Sequence, residues 1–124
     1  MKALRVYYAH AICLYDTEQE KQELALIRER FEDAEIVNPA NHQDHSMDYY
    51  LRLVDSCHII VFSRLLGEVT AGVGKEVNYA LEKGKDVYMM NGARLIPIKS
   101  PVRFISRENT RELYQEWLLR HETV

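Results

Sequence analysis

The chain has 124 residues, 47% hydrophobic and 28% charged, with a formal net charge of −3 at pH 7. That length suits one domain, residues 1–124, with a real core, and scattered Lys and Arg in a mildly acidic chain argue against a nucleic-acid polymer as partner. No apolar run approaches the ~18 residues of a membrane span and the N-terminus lacks a leader-like apolar segment, so a cytoplasmic protein with no membrane partner is expected. Cys13 and Cys57 form no CxxC and are read as reduced thiols.

In chain order, residues Leu4 to Ala9 read as a first strand, rich in Val and Tyr. Thr17 with Glu20 has the S/T-x-x-E spacing of a capping box, and Leu24, Ile27 and Phe31 then form the apolar face of a helix. Glu35-Ile36-Val37 is a short strand stopped by Asn38-Pro39. After a polar loop, Ser46 can cap a helix that buries Met47, Tyr50, Leu51 and Val54. His58 to Phe62 is a continuous apolar run, the pattern of a strand covered on both faces. A third helix follows with Val77, Ala80 and Leu81 inward and Gly84 as its stop. Val87 to Met90 and Arg94 to Ile98 give two further strands, and a helix from Thr110 to Arg120 turns Leu113, Trp117 and Leu118 inward.

Strands alternating with helices predict right-handed crossovers and a mostly parallel five-stranded α/β sheet with helices on both faces, a flavodoxin- or Rossmann-like doubly wound domain. The first and third strands are expected to lie side by side at its centre. Ligands of such sheets bind beyond the carboxyl ends of the strands. Three loops should meet there: Ala9–Asp16, Pro39–Ser46 and Ser63–Gly74.

The third of these loops leads into Gly72-Val73-Gly74-Lys75-Glu76. It reads as a glycine-containing loop and then a first helical turn carrying Glu76. A helix start offers unpaired N–H groups that suit an anion, and glycines let a ligand approach the backbone. An acid in a first turn also complements the macrodipole with no further role. His42-Gln43-Asp44-His45 has metal-binding residue types, but such a polar loop is ordinarily solvated, so no metal and no cofactor are expected.

The block Ala71-Gly72-Val73-Gly74-Lys75-Glu76-Val77-Asn78-Tyr79-Ala80, followed by Gly84-Lys85-Asp86-Val87, resembles the nucleoside 2-deoxyribosyltransferase superfamily, including its 2′-deoxynucleoside 5′-phosphate N-hydrolases. The resemblance runs over residues 4–90 in order, and its specific part is 72–87. It implies cleavage of an N-glycosidic bond, with Glu76 attacking C1′ of the sugar and water or a second base then taking it. It further implies that the backbone from Gly72 through Val73 to Gly74 lines the sugar or phosphate, and that Tyr7 packs on the base. Where the family has a glycine–serine pair after its first strand, this chain has His10-Ala11, which leaves His10 as a ligand-binding candidate and weakens the case for a 5′-phosphate. The family's base-positioning aspartate falls on Tyr50, with Asp48 the nearest acid. Either residue is open to that role, and Asp48 equally to that of a plain helix-start carboxylate. The implied partner is a small nucleoside or nucleotide, the implied assembly a homodimer or larger homo-oligomer, and the alternative a binding module of the same fold without catalysis.

Overall fold

The structure is a computed structural model that describes residues 3–122. Strands β1 (Arg5–Ala9), β2 (Glu35–Val37), β3 (Ile59–Phe62), β4 (Asp86–Asn91) and β5 (Arg94–Ile98) form one sheet in the order β2-β1-β3-β4-β5. The first four are parallel, while β5 returns antiparallel against β4 through the Gly92 turn, where φ is +60°. The fold is therefore α/β with a mostly parallel five-stranded sheet. β1 and β3 are adjacent and interior, in a register that sets Ala9 beside Phe62 at their carboxyl ends.

Helices α1 (Glu18–Arg30), α2 (Met47–Asp55), α3 (Ala71–Glu82) and α4 (Arg107–Glu122) complete the chain, with one-turn 3-10 segments at Ile12–Leu14 and Pro39–Asn41. Side chains alternate across the pleat, so each central strand feeds two cores. Tyr7, Ala9, Ile60 and Phe62 pack with Val54 of α2 and with Val73, Val77 and Ala80 of α3. Val6, Tyr8, Ile59 and Val61 pack with Ile27 of α1 and the partly buried Leu24 and Phe31. A smaller cluster of Ala11, Leu14, Leu65 and Trp117 seats α4 against the loop after β1.

Several local expectations shift. Thr17 caps α1 by accepting from the Glu20 N–H at 3.2 Å, but Glu20 does not complete a capping box. Its carboxylate instead accepts from the Asp16 N–H and faces His10. Ser46 precedes α2 without a side-chain cap bond. α3 begins at Ala71, so the glycines lie inside its first turn and Glu76 in its second, not its first. α4 begins at Arg107, before Thr110, because the Ser106 hydroxyl accepts from the Asn109 N–H. Leu118 faces outward, 38% exposed, while Trp117 is buried. Gly84 stops α3 with φ of +74°, the left-handed conformation glycine adopts without strain. Both cysteines are free thiols, Cys57 buried. No helix among the described residues is long and apolar enough to cross a membrane.

Candidate functional site

Beyond the carboxyl ends of β1 and β3 lies a cavity of about 240 Å³. The loop after β1 contributes His10, Ile12 and Tyr15, and the loop after β2 contributes Pro39, Gln43 and Asp44. Met47 and Tyr50 come from α2, and Thr70, Gly72, Val73 and Glu76 from the start of α3. Tyr114 of α4 closes the remaining side. The volume is below the ~300–1,000 Å³ of drug-sized sites and suits one small molecule.

Glu76 is the chemical centre of this cavity. One turn past Gly72, it faces back toward the sheet, where the Tyr7 hydroxyl donates a hydrogen bond to Glu76 Oε2. Burial pushes the Glu76 carboxyl up to about 7, against a downward pull from the Tyr7 hydrogen bond. Tyr7 is itself driven well above the usual phenol range, first by burial and then by the Glu76 charge. The phenol therefore remains a donor and the carboxyl is the group that titrates. Tyr15 and Tyr114 are both raised by burial, and both sense Glu76. A buried carboxyl that changes charge near neutral pH can serve as nucleophile, base or acid.

The first turn of α3 adds a second feature. Ala71 N–H donates to the Thr110 hydroxyl at 3.0 Å, and Gly74 N–H donates to the Thr70 carbonyl at 2.8 Å. The Gly72 and Val73 amides have no hydrogen-bond partner among the described residues, and both residues line the cavity. Gly74 sits elsewhere. It is buried against Phe104, whose side chain would overlap an added Cβ, so its missing side chain makes room for Phe104 and not for a cavity ligand.

His10 touches the cavity with its ring already committed. Its Nδ1–H donates to the Tyr8 carbonyl at 3.0 Å, and Nε2 lies 2.7 Å from Glu20 Oε2. The ring stacks on Tyr8 with centroids 3.7 Å apart. Burial lowers its pKa, opposed by the Glu20 hydrogen bond. Tyr50 lines the cavity, with its hydroxyl donating to the His42 carbonyl at 2.7 Å. Asp48 is exposed in the first turn of α2 and does not line the cavity. The acid that does is Asp44, one turn earlier in the loop, with φ of +67°. In the same loop His42 bonds the Tyr49 hydroxyl and His45 stacks on the Tyr49 ring. Among the described residues no group of His, Cys, Asp and Glu is arranged to hold a metal.

The structure lines the cavity with His10, Tyr50, Gly72, Val73 and Glu76, and leaves Tyr7, Asp48 and Gly74 outside it; Tyr7 is fully buried with its hydroxyl on Glu76, so it supports the carboxyl from behind and offers no face to a base. Sequence reasoning did not reach Tyr15, Thr70, Asp44 and Tyr114 as cavity residues. Tyr15 lies in a loop already assigned to the strand ends, so an aromatic there was a usable signal. Tyr114 comes from the last helix, and nothing local marks it. No protein-family model matches the chain, and no curated protein matches it either.

Proposed function

We propose that the chain is a member of the nucleoside 2-deoxyribosyltransferase superfamily on a flavodoxin-like doubly wound scaffold, and that it cleaves an N-glycosidic bond with Glu76 as nucleophile. The observation that carries the reading is Glu76 itself, a buried carboxyl held by the Tyr7 hydroxyl on the floor of a small cavity at the strand ends. One oxygen accepts the Tyr7 hydrogen bond, which fixes the carboxylate in place, and a carboxylate so held can attack an oxocarbenium-like C1′. The ester that forms is opened by water or by a second base. Tyr15, Tyr50 and Tyr114 supply flat surfaces for a base, and the free amides of Gly72 and Val73 supply donors for sugar hydroxyls. A cavity of this size suits a free nucleoside or nucleotide. A cytoplasmic homo-oligomer working without a cofactor fits this reading.

The nucleophile must be ionised. With the Glu76 carboxyl at about 7, turnover is expected to rise through neutral pH as the carboxylate forms. Incubation with a panel of nucleosides and 5′-nucleotides, with free base measured by chromatography, tests the reading. Glu76→Ala is expected to abolish base release while the fold survives.

A second reading, a nucleotide-binding module without catalysis, draws on Asp48 lying outside the cavity. It is the correct one if nucleosides bind in calorimetry while neither wild type nor Glu76→Ala releases base.

A further inference from the structure

Breaking a C1′–N bond to a neutral base makes that base leave as an anion unless something protonates it. A free proton donor would have to come from the elements around Glu76. From β1, Tyr7 already donates to Glu76. From the following loop, His10 gives its Nδ1–H to the Tyr8 carbonyl and turns Nε2 to Glu20, and Tyr15 holds its proton tightly because it is buried. From α2, Tyr50 donates to the His42 carbonyl, and from α4 burial likewise raises Tyr114. The remaining cavity acid is Asp44, on the exposed loop at the mouth. The Tyr7, His10 Nδ1 and Tyr50 protons are thus committed to hydrogen bonds, and burial makes Tyr15 and Tyr114 reluctant donors.

The same cavity is built to suit a positive charge. No Lys or Arg lines it, while the Asp44 and Glu76 carboxylates and the Tyr15, Tyr50 and Tyr114 rings do. Aromatic faces and carboxylates attract a desolvated cation, while an anionic leaving group finds the neutral Gly72 and Val73 amides but no cationic side chain.

We infer that the substrate is a nucleoside whose base is already cationic at the glycosidic nitrogen, of the N-ribosyl- or N-deoxyribosyl-pyridinium class. This rests on the glycosidase reading above and narrows its substrate. In the first step a Glu76 oxygen bonds C1′ while the C1′–N bond breaks. Its electron pair goes to the ring nitrogen and cancels the positive charge, so the base leaves neutral and needs no proton. In the second step water attacks C1′ and the C1′–O bond to Glu76 breaks. The carboxylate is restored and one proton passes to solvent.

The test compares wild-type protein on nicotinamide riboside and its 2′-deoxy counterpart with inosine, 2′-deoxyinosine and thymidine. Each rate is divided by the rate without protein, and Glu76→Gln is run in parallel. A missing general acid is worth ~10²–10⁴ in rate, so the pyridinium nucleosides should be accelerated at least ~100-fold more than the neutral ones. Their rate should rise with pH and then stay level, with no alkaline fall from a titrating donor. Equal or greater acceleration of the neutral nucleosides, or an alkaline fall, overturns the inference and leaves the glycosidase reading standing. No Glu76-dependent cleavage of either set overturns both.

Discussion

Burial holds the Glu76 proton in the folded chain up to about pH 7, against a reference value of 4.5 when the chain is unfolded. Between those values the folded state binds one more proton than the unfolded state, so stability falls as pH rises through the window. The full penalty, on the order of 3 kcal/mol, applies above it. Glu76→Gln removes the titration, and urea unfolding at pH 5 and pH 8 should show the variant gaining on wild type only at the higher pH. Tyr7→Phe deletes the hydrogen bond from Tyr7 that favours the Glu76 carboxylate. The rising limb of its pH–rate profile, followed by base release, should move above about 7. Asp48→Asn should leave that profile unchanged, because Asp48 is exposed and outside the cavity. Tyr50→Phe frees the loop carbonyl of His42 and should raise KM more than it lowers kcat.

At the scale of elements, α3 carries Glu76 and residues 99–106 hold the helix in place. Asn78 accepts from the Val102 N–H at 2.8 Å and donates to the Val102 carbonyl at 3.0 Å, pairing like a strand neighbour. The Ile105 N–H donates to the Val69 carbonyl, and Phe104 lies across Gly74. Asn78→Ala strands both partners of a partly buried peptide and should cost about 1–3 kcal/mol in urea unfolding. Gly74→Ala should destabilise by about 1–3 kcal/mol through overpacking against Phe104. In a Phe104→Gly background, which removes the Phe104 Cβ as well as the ring, the same change should instead stabilise, by up to about 1 kcal/mol, because alanine favours a helix interior. A double-mutant cycle on thermal or chemical unfolding reads that change of sign.

For the whole molecule, the sheet order puts β1 and β3 side by side with their crossovers on different faces, so the loops that follow them part and open a cleft. α4 then closes the cleft from the far end of the chain. Trp117 seats the helix against Ala11, Leu14 and Leu65, the Thr110 hydroxyl accepts from the Ala71 N–H, and the Tyr114 hydroxyl accepts from the Ile12 N–H at 3.3 Å. Trp117→Ala should cost about 3–5 kcal/mol of stability, less any relaxation of α4. At temperatures where it stays folded, KM should rise, because Tyr114 loses its support. Circular dichroism melts beside base-release kinetics check both parts.

The strands, the helices and the alternation that makes the sheet mostly parallel were legible in the sequence because each rests on local periodicity and on turn residues such as Asn38-Pro39 and Gly84. Glu76 stood out from its helix block and Tyr7 from its place at a strand end. Their pairing joins residues 69 apart in sequence, which no local pattern encodes. The start of α3 was misread by several residues because two glycines usually signal a loop, yet here the first turn is held by Thr110 from α4 and by Phe104 packed on Gly74. Local pattern makes His10 a loop residue and Glu20 half of a capping box, whereas the folded chain pairs them because the turn at Ile12–Leu14 returns α1 to the end of β1. Residue identity and spacing thus determined the elements and the candidate acid. Tertiary structure alone decided which hydroxyls and amides remain free beside that acid, because hydrogen-bond partners and desolvation are set by residues distant in sequence.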